Sequence, residues 1–193
     1  MDFQGAKQYA LDRLSSELSS DLFYHHVEHT IDVCNAIEGI AMEEGIVGND
    51  LILLRTAGIF HDIGFIEQYA NNEPVAVQIA QKVLPGYDYS DSEINIISEL
   101  ILATRVPQEP KTHLEEIICD ADLDYLGRDD FDAISHSLMK EWIAYGLVDT
   151  EEEFNEKQLS FFNAHHYFTD TAKRNRKVLK EKHFAAIIKL SDK

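Results

Sequence analysis

Residues 51–64 read LILLRTAGIFHDIG, and in this run Leu51, Leu54 and Ala57 return every third position before the chain meets His61-Asp62 and Gly64. A strand would alternate every second residue, so the stretch predicts a buried helix that begins near Asn49-Asp50, good capping residues, and runs to Gly64. An ionisable pair at the end of so apolar a helix is costly to bury without a partner, and a bound cation is one such partner. Neighbouring helical residues point about 100° apart. His61 and Asp62 therefore share an ion only if it sits over the edge between them, where Gly64 is expected to relax the backbone.

The same spacing of three and four recurs on both sides. Leu11, Leu14 and Leu18 mark a helix ended by Ser19-Ser20-Asp21, and Val27, Ile31, Cys34, Ile37 and Ile40 mark one ended at Gly45. Further helices are expected over 74–84, 92–103, 113–126, 131–145, 151–168 and 171–190, with Pro85-Gly86, Pro107 and Pro110 as breakers and Thr150 with Glu153 spaced as a capping box. The fold reads as all-α with about eight or nine helices. No repeat, low-complexity tract or linker divides the chain, so its 193 residues are expected to form a single domain over 1–193. Within it, a core of about 22–127 precedes C-terminal helices over about 129–190.

Composition narrows the partners. With 17 Lys+Arg against 35 Asp+Glu the formal charge is −18, which repels a nucleic acid polymer and the anionic face of a membrane. The expected partner is a small phosphorylated substrate, held by something locally positive. Cys34 and Cys119 lie in apolar stretches without framework spacing, as buried reduced thiols do, and no leader or spanning segment is evident; together these predict a cytoplasmic protein.

Two further clusters carry ionisable groups. Tyr24-His25-His26-Val27-Glu28-His29 opens the second helix, with His25 and His29 four residues apart and expected on one face. Cys119-Asp120-Ala121-Asp122-Leu123-Asp124 embeds carboxylates in an apolar helix. His29, His61, Asp62 and one aspartate of this run make two nitrogens and two oxygens, suited to Mn, Fe, Co, Ni, Zn or Mg. Asp120 and Asp122 are about 200° apart around a helix, so both cannot face one ion.

A histidine on one helix, His-Asp ending the next and Ala-Asp on a later one resemble the HD superfamily, and the stretches YHHVEHT, FHDIGF and ICDADLDYLG are similar to those of small bacterial HD-domain proteins described as metal-dependent phosphohydrolases. The resemblance implies His29, His61, Asp62 and Asp122 as metal ligands, Asp122 standing in the Ala-Asp context. Residues 25–29, HHVEH, also resemble the HNxxH signature of cyclic-nucleotide phosphodiesterases, which implies His25 as general acid beside Asp62 in the catalytic set. The later metal-bridging residues of those enzymes are not evident in this sequence.

Glu73 is a candidate to orient a water. His165 in the stretch HHYFT, with Arg174 and Lys177 from the basic cluster that follows, is a candidate to bind the substrate phosphate. Asp120 and Asp124 are expected in supporting or surface roles, and His113, His136 and His183 at the surface. The implied reaction is hydrolysis of a small phosphate ester, a nucleoside monophosphate or a cyclic nucleotide, by attack of a metal-bound water. The alternative is a non-catalytic module that senses a nucleotide and keeps a structural metal. A two-iron oxygenase of the same superfamily would want more histidines between His61 and Asp122, where only His113 occurs.

Overall fold

The structure, a computed structural model, describes residues 1–191. Among these the chain forms nine α-helices, three short 3-10 turns and no strand. They are α1 (Phe3–Glu17), α2 (Val27–Glu43), α3 (Gly48–Phe60), α4 (Asn72–Val83), α5 (Asp91–Ala103), α6 (His113–Asp122), α7 (Phe131–Ala144), α8 (Glu151–Ala164) and α9 (Asp170–Ser191). The 3-10 turns are Ile63–Ile66, Leu84–Tyr87 and Asp124–Gly127. None of the described helices is long and apolar enough to cross a membrane.

Two apolar clusters organise the helices. The larger gathers Leu14, Ile37, Leu54, Phe60, Ile97 and Ile118 from α1, α2, α3, α5 and α6, all of them nearly or fully buried. Burial of each such side chain is worth about 1.5–3 kcal/mol. The smaller joins Tyr24, Leu123, Tyr125 and Leu126 to Phe131 of α7, Phe162 of α8 and Ile187 of α9. The segments 24–29 and 122–126 run from one cluster into the other, and this is where the ionisable residues converge.

Helix starts follow capping chemistry, with Asp2 and His26 capping α1 and α2 through their side chains. Ser90 and Glu93 form a full capping box at α5, and Thr112 and Thr150 accept from the backbone N–H of Glu115 and Glu153. At α8 the box differs from the expected one, because the Glu153 carboxylate takes the N–H of Asp149 rather than that of Thr150. The start of α3 also differs. Its cap is Val47, with no side-chain bond, and Gly48 at φ +64° opens the helix, so Asn49 and Asp50 fall inside the first turn.

Three ends were expected about four residues later than they occur, and one of them is α6, which stops at Asp122 before the 3-10 turn Asp124–Gly127. Helix α3 stops at Phe60 and continues as the 3-10 turn Ile63–Ile66. Helix α8 stops at Ala164, and His165 is extended (φ −73°, ψ 136°), which turns the chain into the segment 165–169. Gly64 serves close approach rather than backbone freedom. A Cβ there would lie 2.0 Å from the Asn72 carbonyl oxygen, so only glycine lets α4 pack onto this turn.

Candidate metal centre and cavity

Three helices deliver the predicted ligands. His29 projects from the first turn of α2, His61 and Asp62 follow the last residue of α3, and Asp122 ends α6. The packing of α2 on α3 brings the first two together. It is close because Gly58 of α3 lies under Ile37 of α2, where a Cβ would come within 2.5 Å of the Ile37 Cδ1. One atom each from His29, His61 and Asp122 lie within 4.8 Å of one another.

Asp62 joins the group through Oδ2, 3.4 Å from His29 Nε2 and 3.1 Å from His61 Nε2. Asp122 Oδ1 stands 3.4 and 3.5 Å from the same two nitrogens. These approaches lack hydrogen-bond geometry: His29 Nε2, His61 Nε2 and Asp62 Oδ2 are buried with no hydrogen-bond partner. Donors at about 2.1 Å from one ion stand roughly 3.0–3.4 Å apart in octahedral or tetrahedral arrangement. His29, His61 and Asp122 are thus grouped closely enough to hold one ion, and Asp62 Oδ2 stands at ligand-like distances from both imidazoles.

Three of the four side chains are oriented from behind. His61 Nδ1 bonds the Gly58 carbonyl oxygen at 2.7 Å, which makes it the protonated nitrogen and leaves the Nε2 lone pair facing the carboxylates. Asn72 Nδ2 donates to Asp62 Oδ1 at 3.2 Å, and Gln108 Nε2 donates to Asp122 Oδ2 at 3.3 Å. Each carboxylate thus gives one oxygen to an amide and turns the other toward the imidazoles.

The electrostatics agree with the geometry. Burial pushes the His29 pKa down, but Asp122 and Asp62 outweigh it and leave it raised; His61 is raised further by the same carboxylates. Burial pushes the carboxylates up, and the two imidazoles hold both below their ordinary range. The cluster favours positive charge where its donor atoms converge, as a cation site must.

His25 stands beside this cluster but not on α2. The helix begins at Val27 with His26 as its cap, so His25 lies in the turn that precedes it, closed by the His26 N–H on the Tyr24 carbonyl, and its position is not set by helical spacing from His29. It is held by Glu141 of α7, which is fully buried and whose Oε1 pairs with His25 Nδ1. Glu141 also accepts the backbone N–H groups of Tyr24 (2.8 Å) and His25 (3.0 Å) and the Tyr69 hydroxyl (2.9 Å). Burial pushes the Glu141 pKa up; the His25 ring and these N–H groups more than offset that and keep it below the usual carboxylate range. Phe65 stacks on the other side of the His25 ring at 4.2 Å.

A cavity of about 250 Å3 opens from the cluster. Asp62, Asp122, His25, Asn72 and Glu73 line its polar end, and Glu73 Oε2 is buried there without a partner. The remaining predicted phosphate-binding residues lie elsewhere. Arg174 bonds Glu43 and is exposed, and Lys177 is exposed beside Glu181. His165 lines two smaller clefts, one with Lys177 and Lys180 and one with Gln108 and Leu123. The C-terminal cations were expected at the substrate; they face outward because α9 buries its other side against α8 and the turn Asp124–Gly127.

Asp120, expected in a supporting or surface role, is fully buried and accepts from Phe168 N, Thr169 N and Thr169 Oγ1, fixing the segment after α8. Asp124 is buried and pairs with Arg176 through both carboxylate oxygens. His183 is half-buried, bonded to the Leu126 carbonyl and stacked on Phe131, rather than at the surface. Glu141, Asn72 and Gln108 are the residues that sequence reasoning missed. Glu141 carried a usable signal: with Ile134, Leu138 and Tyr145 it forms a stripe of spacing three and four on α7, a charge in a core position.

A helical fold in which one helix gives a histidine, the next ends in His-Asp and a later one ends in aspartate defines a class of metal-centred helical domains. The sequence model described as HD domain matches residues 27–124, about half the chain, and the chain belongs to the HD-domain family. It is similar to an uncharacterized protein of Clostridium beijerinckii, 37% identical over 84 residues that make up 42% of this chain. Those residues are 53% of the relative, so the chain spans about half the length of the curated relative it matches. A solved structure described as a predicted HD superfamily hydrolase from an uncultured Thermotogales bacterium shares the fold, with a TM-score of 0.57 at 18% identity over 98% of this chain and 87% of its own.

Proposed function

We propose that this protein is a divalent-metal-dependent phosphohydrolase acting on a small phosphate ester, a nucleoside monophosphate or a cyclic nucleotide among the candidates. The observation that carries the reading is the convergence of buried, partnerless His29 Nε2, His61 Nε2 and Asp62 Oδ2 with Asp122 Oδ1 at the mouth of a cavity that also holds His25. His29, His61, Asp62 and Asp122 would hold the ion, and two imidazoles among four donors favour Mn, Fe, Co, Ni or Zn over Mg. When bound, a divalent ion supplies a Lewis acid that activates water and offsets charge on phosphoryl oxygens.

The chain's own residues do the rest. Asn72 and Gln108 keep one oxygen of each carboxylate turned to the centre. Glu141 fixes His25 through Nδ1, which leaves Nε2 to give a proton to the departing alkoxide oxygen of a substrate in the cavity. Glu73, with its unpaired Oε2, offers an acceptor to an attacking water. A non-catalytic sensor would need the ligands but not a histidine held by a buried carboxylate beside them.

The test is metal analysis of the purified protein followed by hydrolysis assays on linear and cyclic nucleotides with Mn, Co, Ni, Mg and Zn. Release of phosphate or ring opening that a chelator abolishes is the expected result. Absence of hydrolysis with every metal and ester overturns the proposal.

A further inference from the structure

The cavity beside the centre has two chemically different ends. Its polar end carries three carboxylates, Asp62, Glu73 and Asp122, beside His25 and Asn72, while Leu126, Leu138, Trp142, Phe154, Phe161 and Phe162 line most of the rest, with the uncharged polar side chains of Gln158 and Thr104 among them. Among the described residues, no lysine or arginine lines it. Arg105 stands between the lining residues Thr104 and Val106, but its guanidinium donates to Asn71 Oδ1 at 3.1 Å and the residue lines a separate cleft. Four of the α9 cations are engaged elsewhere, Arg174 with Glu43, Arg176 with Asp124, Lys173 with the Phe168 carbonyl and Lys180 with that of His165, and the others do not line the cavity.

Such a cavity can satisfy one phosphoryl group, at the ion. A second phosphate would lie against aromatic and aliphatic side chains with no cation to pair it, and burying an unpaired charge costs several kcal/mol. A flat uncharged group meets the opposite situation, because Trp142, Phe154, Phe161 and Phe162 offer apolar area and ring contacts. The size agrees. A dry cavity of about 150 Å3 takes benzene, and ligand pockets begin near 300 Å3, so about 250 Å3 suits one or two rings.

Resting on the phosphohydrolase reading above, the geometry points to a substrate class: esters with a single phosphoryl group on an uncharged alcohol that bears a flat aromatic ring. Compounds with a second anionic group are excluded by the cavity wall itself. Chain elements outside the metal ligands, chiefly α7 and α8, therefore set specificity.

The experiment uses the Mn-loaded full chain and compares kcat/KM for benzyl phosphate, AMP, ADP, ATP and glucose 6-phosphate. Benzyl phosphate, AMP and glucose 6-phosphate all release a primary alkoxide, so differences among them report the body rather than the leaving group. Benzyl phosphate and AMP should exceed ADP and ATP by about 100-fold and glucose 6-phosphate by about tenfold, orders of magnitude expected for an unpaired buried charge and for a lost apolar contact. Leu138→Arg, which sets a cation in the apolar wall, should raise ADP relative to benzyl phosphate at least roughly tenfold.

Trp142 is the only tryptophan of the chain, and it lines the cavity, so its emission gives a readout independent of turnover. Benzyl phosphate should change it and glucose 6-phosphate should not. ATP or glucose 6-phosphate hydrolysed as fast as benzyl phosphate overturns this substrate class and leaves the phosphohydrolase standing. No hydrolysis of any ester, with emission still responding to benzyl phosphate alone, overturns the phosphohydrolase and supports the ligand class; no response of either kind overturns both.

Discussion

Glu141 Oε1 meets His25 Nδ1 across 116 positions of sequence, so the proposed acid is positioned by α7 and not by the helix that carries the first metal ligand. Glu141→Gln retains an acceptor for the backbone of Tyr24 and His25 but loses the charge that holds the ring. It should keep the metal and lose about 10- to 100-fold in turnover of AMP. His25→Ala should also keep the metal and lose about 10²- to 10⁴-fold on AMP. Both variants should lose much less on para-nitrophenyl phosphate, whose leaving group needs no proton. Metal content falling in His25→Ala as completely as in His29→Ala would show that His25 is a ligand.

His61→Ala and Asp62→Ala should each abolish tight metal binding, since each removes a donor and leaves buried partnerless atoms facing it. The proposed ligands come from α2, the end of α3 and α6, so chelation should lower the melting temperature. Stoichiometric metal in both variants, or a melting curve indifferent to chelator, would contradict the four-ligand centre.

Arg174→Ala and Lys177→Ala should leave KM unchanged, because neither residue lines the cavity. Arg176→Ala should instead cost stability, about 2 kcal/mol, by leaving the buried Asp124 carboxylate with only Arg128 at 3.7 Å. Denaturant unfolding of the three variants, alongside initial rates, separates these outcomes. A raised KM in Lys177→Ala would return the α9 cations to the substrate.

Both ring nitrogens of His165 are buried without a partner, and burial, reinforced by Lys180 and His166, holds its pKa down to about 3. In the unfolded chain the ring takes a proton near pH 6.5. Its contribution is therefore complete above that pH and is lost as pH falls toward 3, where only the unfolded state is protonated. His165→Phe keeps the ring stacked on Phe161 and removes the proton. The difference in unfolding free energy between wild type and variant should shift by on the order of 1 kcal/mol in the variant's favour from pH 7 to pH 5. A pH-independent difference would mean that the ring is solvated.

The candidate ligand cluster was legible because His61-Asp62 follows an apolar helix and Asp122 shares a helix with Ile117 and Ile118; charges in such places advertise a partner. Helix periods were legible for the same reason, while ends such as Ala164 were not, since Asp120 stops the helical run by taking the N–H groups of Phe168 and Thr169 from a distant element. Lys177 and Arg174 were misread because a basic cluster in an acidic chain attracts attention whatever face it occupies. Glu141 is one of 35 acidic residues, and nothing in its immediate neighbours in sequence marks it as the one that reaches His25.

The stretch matched to the family, 27–124, contains all four proposed ligands, yet His25 precedes it and Glu141, Leu138, Trp142, Phe154 and Phe162 follow it. Excised at those boundaries, the family segment would carry the proposed ion-binding donors without the proposed proton donor, its holder or most of the aromatic wall. Descent can accordingly rewrite α7 and α8 while the ligands stay fixed. Relatives that agree with this chain at every ligand are free to differ in what they admit.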